Sequence, residues 1–288
     1  LFRGFADKGW MFSKVVSITI TGFLTWFLVS IKLLKFTTVT CVGITVVFGI
    51  VCILLYEKQR KAGYDCLPID NLDLVYIEEI LFFAVFLMWT YLAGFHPAAH
   101  GTEKFMDYGF MEAMMRSKTL PATDIWYSQG KINYYYGGQY FAVFLTKLSG
   151  TQVELTYNLM RTFVAAFAFV LPFSLVRQMT VDMGSQYNMN PFEQGTLFLF
   201  CGRRSDRMKG LQKSEKVIKG LPFAAGFTAG TAVSIAGNMH YVIYAQIIPL
   251  IEKLTGKEVS SYWFPDATRY IGFNPDVPDK TIHEFPCY

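Results

Sequence analysis

From Phe36 to Tyr56, and again from Gly220 to Ile251, the chain carries no formal charge. A hydrocarbon layer roughly 30 Å thick takes about 20 apolar residues in helical form to cross. Inside that layer every backbone N–H and C=O must be satisfied within the protein, so an uncharged run of this length folds as an α-helix. Three further segments read the same way. Val15 to Ile31 is apolar, and Lys32 can reach the headgroups along its own aliphatic stem. Ile80 to Phe95 is shorter and gains length from Val75, Tyr76 and Ile77. Thr162 to Val176 follows Arg161. The expected fold is all-α, a multi-pass transmembrane bundle of about five spans. Composition agrees: 52% of residues are hydrophobic, 17% are charged and mean hydropathy is +0.30, which is the balance of a membrane protein.

The net charge of +4 does not point to nucleic acid, because the basic residues are sorted by loop and form no patch. Arg3, Lys8 and Lys14 precede the first span, and Lys58, Arg60 and Lys61 follow the second. A longer basic run, from Arg177 to Lys219, separates the fourth from the fifth. Lys and Arg accumulate in cytoplasmic loops. The expectation is a cytoplasmic N-terminus, with loop 96–155 and everything after about Tyr244 extracytoplasmic. Five cysteines form no framework. Cys41 and Cys52 sit in a span as small hydrophobes, and with no C-x-x-C pair a structural zinc site is not expected. The chain opens on Leu1 and stops at Tyr288 without a closing element, so it reads as part of a longer protein.

Loop 96–155 is too long for a plain connector, and its aromatic content argues against disorder. Phe105, Tyr108, Met111, Met114 and Met115 recur at helical spacing, which predicts an amphipathic helix along the outer surface. Pro121 to Asp124 reads as a turn leading to Trp126 and Tyr127. Tyr140 to Leu148 predicts a second interfacial helix, ended by Gly150-Thr151. At the start of the third span, Glu78 and Glu79 are expected to be a solvated, interfacial helix N-terminus. In the fifth, Gly226, Gly230 and Gly237 favour close helix contact.

Three constellations carry possible chemistry. Glu103 and Asp107 stand four apart, so on a helix both carboxylates face one way. Such a pair can hold a divalent cation such as Mg or Mn, or serve as a base and its tuning neighbour. It can equally be a solvated helix end beside Lys104. His96 and His100 fall on the same stripe, but Pro97 and Gly101 interrupt it. In the second group, Asn133, Tyr134, Tyr135, Tyr136, Gly137, Gly138 and Gln139 are consecutive. Three adjacent tyrosines cannot all face one core. Interfacial anchoring explains any one of them, whereas stacked rings beside amides also suit the C–H faces and hydroxyls of a sugar. The third is Arg269, able to fork onto a phosphate, with Glu284 as a further carboxylate. Ordinary surface ion pairs are the competing explanation.

Thr102 to Asp107, Met115-Arg116-Ser117, Trp126 and above all Ile132-Asn133-Tyr134-Tyr135-Tyr136-Gly137 resemble a family of prokaryotic integral membrane proteins named for their YYY motif. That family, of unknown function, occurs in archaea and Chloroflexi. The Thr268-Arg269 region and Thr281 to Pro286 resemble a later motif of the same family. There the Glu-Phe-Pro segment leads into an Asp-Leu-His-x-His motif, before which this chain stops. The resemblance implies a fold similar to the GT-C integral membrane glycosyltransferases, with a long outer loop bearing acidic catalytic residues and a donor sugar on polyprenyl phosphate. It implies Asp107 as the base or acceptor-orienting carboxylate, assisted by Glu103. Arg269 would contact the donor phosphate, with Tyr134 to Tyr136 shaping the sugar or acceptor site. The GT-C-like layout begins at about Val75, so residues 1–74 are expected as a separate two-span hairpin with its inside loop. Residues 75–288 would start the GT-C-like domain, inactive alone without the missing motif. The partners expected are membrane lipids and a polyprenyl-phosphate sugar donor. A transporter should bury ionisable groups at mid-membrane, and few are visible in these spans. A non-catalytic assembly or lipid-binding subunit remains the other alternative.

Overall fold

The computed structural model describes residues 2, 4–64, 66–95, 97, 104–187, 215–236, 247–257, 270–273 and 281–283. The fold is all-α apart from one short ribbon. Helices α1 (Trp10–Ser30), α2 (Thr38–Lys61) and α3 (Leu72–Ala93) come first. They are followed by α4 (Lys104–Arg116), α5 (Gly137–Ser149) and α6 (Val153–Tyr187). Then come α7 (Glu215–Thr231), which runs into a π-helical turn at Ala232–Ala236, and α8 (Ile248–Thr255). Strands β1 (Tyr270–Phe273) and β2 (Thr281–His283) pair antiparallel, with Tyr270 opposite His283 and an irregularity before Gly272.

Among the described residues, α1, α2 and the Val153–Asp182 stretch of α6 are long and apolar enough to cross a membrane. Of the other two expected spans, α3 is 22 residues long and carries both glutamates in its second turn. The fifth begins as α7, and residues 237–246 of it, with Gly237, lie outside the described residues. Local chemistry explains the helix ends. The Thr37 hydroxyl caps α2 by accepting from the Thr40 amide at 3.3 Å. Lys58, Arg60 and Lys61 in its last turn oppose the dipole. Gly150 ends α5 at φ 68°, a left-handed conformation that a side chain would strain. In α1, Thr21 and Thr25 are buried because each hydroxyl donates to a carbonyl of its own helix, Ser17 and Thr21 respectively.

Two apolar clusters organise the molecule. One joins α1, α2, α4 and α5 through Val29, Phe36, Cys41, Met114, Val143 and Phe144. The other joins α1, α3 and α6 through Met11, Phe82, Val85, Phe167 and Val170. Thr90 donates to Thr162 at 3.1 Å, while Glu78 lies beside Ser174, so α3 and α6 run antiparallel. Helix α7 packs still more closely on α6. A Cβ on Gly226 would come within 2.6 Å of the Phe173 carbonyl oxygen, and one on Gly230 within 2.7 Å of that of Phe169. The four-residue glycine spacing thus lays backbone against backbone.

One expectation fails here. Glu78 is not solvated: it is 0% exposed, between α3, α6 and the start of the chain. Glu79 alone is interfacial, paired with Lys14 and accepting from the Trp10 indole at 2.5 Å. Consecutive helical residues point about 100° apart, so one glutamate turns inward while its neighbour turns out.

Candidate functional site

Helix α4 forms where the apolar spacing predicts it, and Tyr108, Met111, Met114 and Met115 of the expected stripe pack into the core. Phe110, Met111 and Met114 are buried, whereas Phe105 is exposed. The reason is packing: α4 lies against α5, whose Tyr140, Val143 and Phe144 are buried in the same cluster. The connection between the two helices is ordered by its own backbone. The Ile132 amide donates to the Ala122 carbonyl at 2.9 Å, and the Asp124 amide to that of Gly130 at 3.2 Å. Ala122 and Ile132 are buried at its base. The Asp124 carboxylate accepts from the Trp126 and Tyr127 amides at 2.8 and 2.9 Å, which makes it a turn-former. A cis peptide bond joins Leu120 to Pro121.

The three tyrosines diverge. Tyr136 turns toward α1, where its hydroxyl accepts from the Trp26 indole N–H at 3.1 Å, and its carbonyl starts α5 by accepting from the Tyr140 amide at 2.8 Å. Tyr134 leans on Phe110 with ring centroids 6.1 Å apart. Tyr135 is 70% exposed and lies over Tyr134, their centroids 3.8 Å apart and their hydroxyls hydrogen-bonded. Phe110 also meets Trp126 edge-on at 5.9 Å, and Trp126 in turn meets Phe105 at 6.3 Å. One buried phenylalanine thus seats an exposed shelf of Tyr134, Tyr135, Trp126 and Phe105. Asn133 is exposed beside it.

Asp107, in the first turn of α4, is half-buried, and Gln139 in the first turn of α5 donates to its Oδ1 at 2.7 Å. Two helices therefore meet at this carboxylate. Nearby, burial, and after it the Glu112 and Glu154 carboxylates, raises the Tyr108 phenol above its usual range. Burial likewise raises the Tyr140 phenol, whose hydroxyl donates to the Gly22 carbonyl of α1 at 2.7 Å. Of the residues singled out in the sequence, Asp107, Asn133, Tyr134, Tyr135 and Tyr136 fall within this α4–α5 region. Glu103, Arg269 and Glu284, with His96 and His100, lie outside the described residues. Tyr270 and His283, chain neighbours of Arg269 and Glu284, are paired in the ribbon. The described residues contain no group of three or more His, Cys, Asp or Glu able to hold a metal ion.

Three participants were missed. Gln139 was legible as an amide but not as the partner of Asp107. Trp26 belongs to a span that gave no functional signal. Lys147 is 6% exposed in α5, donating to the Met115 carbonyl at 2.9 Å and lying 4.8 Å from the centroid of the Phe36 ring. Its signal was present, as the one charge within the apolar run from Tyr140 to Leu148. Burial lowers its ammonium below the usual lysine range.

A family model described as uncharacterized membrane protein (DUF2298) matches residues 20–288. The chain belongs to this family of membrane proteins. The DUF2298 match takes in the Asp107–Gln139 contact, the tyrosine run and the ribbon, while Asp7 and Trp10 precede it. No curated protein and no solved structure matches the chain.

Proposed function

We propose that the chain is a GT-C-like membrane glycosyltransferase component, which transfers a sugar from a polyprenyl-phosphate donor at the extracytoplasmic face. The supporting observation is the meeting of Asp107 with Gln139 next to a stacked, exposed aromatic shelf. A carboxylate oriented by a hydrogen bond from a neighbouring helix has a fixed direction, as a general base or an orienting group requires. Rings such as Tyr135 and Trp126 offer flat faces to the C–H side of a sugar. In this reading Asp107 removes the acceptor proton as the acceptor oxygen attacks the anomeric carbon, and the lipid phosphate departs with the bonding electrons. Tyr134, Tyr135 and Asn133 seat the sugar. Glu103, Arg269 and Glu284 complete the site around donor and acceptor, and the lipid on the donor accounts for a membrane-bound catalyst. The domain division at about Val75 belongs to the same proposal.

The test is sugar transfer by the full-length protein in membranes supplied with polyprenyl-phosphate sugars. Asp107→Asn keeps the size of the side chain and its bond to Gln139 but removes the base. It is expected to abolish transfer while insertion and thermal stability persist. Unchanged transfer by Asp107→Asn removes Asp107 from the mechanism.

A further inference from the structure

At the end of the bundle opposite α4, the chain folds its first residues over α3 and α6. The Ala6 amide donates to Gln178 Oε1 at 2.8 Å, and Asn71 Nδ2 donates to the Ala6 carbonyl at 3.1 Å. Beneath this strap lie two carboxyl groups, Asp7 at 2% exposure and Glu78 at 0%. Their surroundings differ. Asp7 accepts from the Gly9 amide at 3.1 Å, the Trp10 amide at 2.9 Å and the Ser174 hydroxyl at 3.5 Å. It therefore stands at the start of α1, where the helix dipole favours an anion. Neither oxygen of Glu78 meets a donor at hydrogen-bond geometry, although Asp7 and Ser174 are beside it.

The charges around this pair do not balance. Arg177 of α6 is the cation near both carboxyls, and its buried Nε has no hydrogen-bond partner. Asp73 of α3 adds more negative charge within its reach. Lys14 of α1 is taken by Glu79, and Asp182 of α6 accepts from Gln178. Among the described residues, the Arg177 guanidinium is thus the cation close to both buried carboxyls. A buried carboxylate without donors is strongly disfavoured, and one proton brings the two buried carboxyls and the guanidinium to neutrality.

We propose that Glu78, buried beside Asp7, is a proton-binding site whose one proton keeps residues 4–9 seated on α3 and α6. Asp7 is met by three donors and Glu78 by none, so the site's proton is placed on Glu78. Loss of that proton to water leaves two like charges in one low-dielectric space. The strap then lifts and lets water reach them. The closed state binds one proton more than the open state, so opening is favoured as pH rises. This site is independent of the proposed sugar transfer.

Two measurements on the full chain in phosphatidylcholine nanodiscs test it. Infrared spectra at neutral pH are expected to show the carbonyl stretch of a buried protonated carboxyl group, absent in Glu78→Gln and shifted in Asp7→Asn. Amide hydrogen exchange over residues 4–10, corrected for intrinsic base catalysis, is expected to speed up several-fold as pH is raised. Glu78→Gln, a neutral stand-in for the acid, should keep slow exchange at every pH. A spectrum identical in wild type and Glu78→Gln overturns the proposal. So does corrected exchange that is indifferent to pH in the wild type, which also decides the matter if the Gln variant does not fold.

Discussion

Lys147 shows what a single buried charge does in this molecule. Its ammonium closes the last turn of α4 through the Met115 carbonyl and rests on the Phe36 ring, so the interaction is with a helix end and an aromatic face. Burial lowers its proton affinity in the folded state. Between that lowered value and the ordinary lysine value of about 10.4, the unfolded chain binds the extra proton, so stability rises with pH across the window. Thermal unfolding in detergent should show this alkaline gain in the wild type and lose it in Lys147→Met. At neutral pH Lys147→Met should lie within about 1 kcal/mol of wild type, since removing a buried charge offsets the lost bond. Lys147→Glu should cost about 3–5 kcal/mol, because it places an acceptor against a carbonyl in a buried site. Equal stability of the Glu and Met variants would remove Lys147 from this role.

At the scale of elements, the contact between α6 and α7 is the most demanding. Gly226 and Gly230 lie over the carbonyls of Phe173 and Phe169, which cannot retreat without disturbing the helix that carries them. Gly226→Leu is expected to drive the helices apart and cost about 1–3 kcal/mol, read as a lower unfolding temperature in detergent. A control at Gly43 of α2, where an added Cβ would meet nothing within 4 Å, should leave stability unchanged. A destabilised control with an unaffected Gly226→Leu would contradict the packing account. These elements also show what the sequence could tell. Charge-free runs gave α1, α2 and α6, because crossing a bilayer demands little beyond length and apolarity. The glycine spacing in α7 pointed correctly to close contact. Periodicity placed α4 and most of its inner stripe, Tyr108, Met111, Met114 and Met115, but spacing does not identify the partner helix. Phe105 therefore turned out exposed and Phe110 buried. Glu78 and Glu79 are chemically identical neighbours, and only the position of α6 makes one of them internal. The Asp107–Gln139 contact is equally non-local: it exists because the chain between α4 and α5 returns on itself through Ala122 and Ile132.

For the whole molecule, orientation in the bilayer is the claim that ties the chemistry to a compartment. The sorting of basic residues leads to the expectation that loop 96–155 lies outside and the Arg177–Lys219 stretch inside. A cysteine introduced at Thr123 should react with an impermeant reagent added to intact cells, and one at Ser214 should react only after lysis. The reverse pattern would put Asp107 on the cytoplasmic side and remove the outer-face donor from the proposal. Helix α6 bears on both ends of the molecule. With 35 residues it measures roughly 50 Å along its axis, well beyond the roughly 30 Å of hydrocarbon it has to traverse. It therefore tilts, or carries turns clear of the lipid, and those surplus turns meet α4 and α5 at its beginning. Its far half holds Ser174, Arg177 and Gln178 under the strap. A single rod of this length gives the aromatic shelf and the buried acid a common foundation. A change in its slant would be felt at both surfaces of the membrane together.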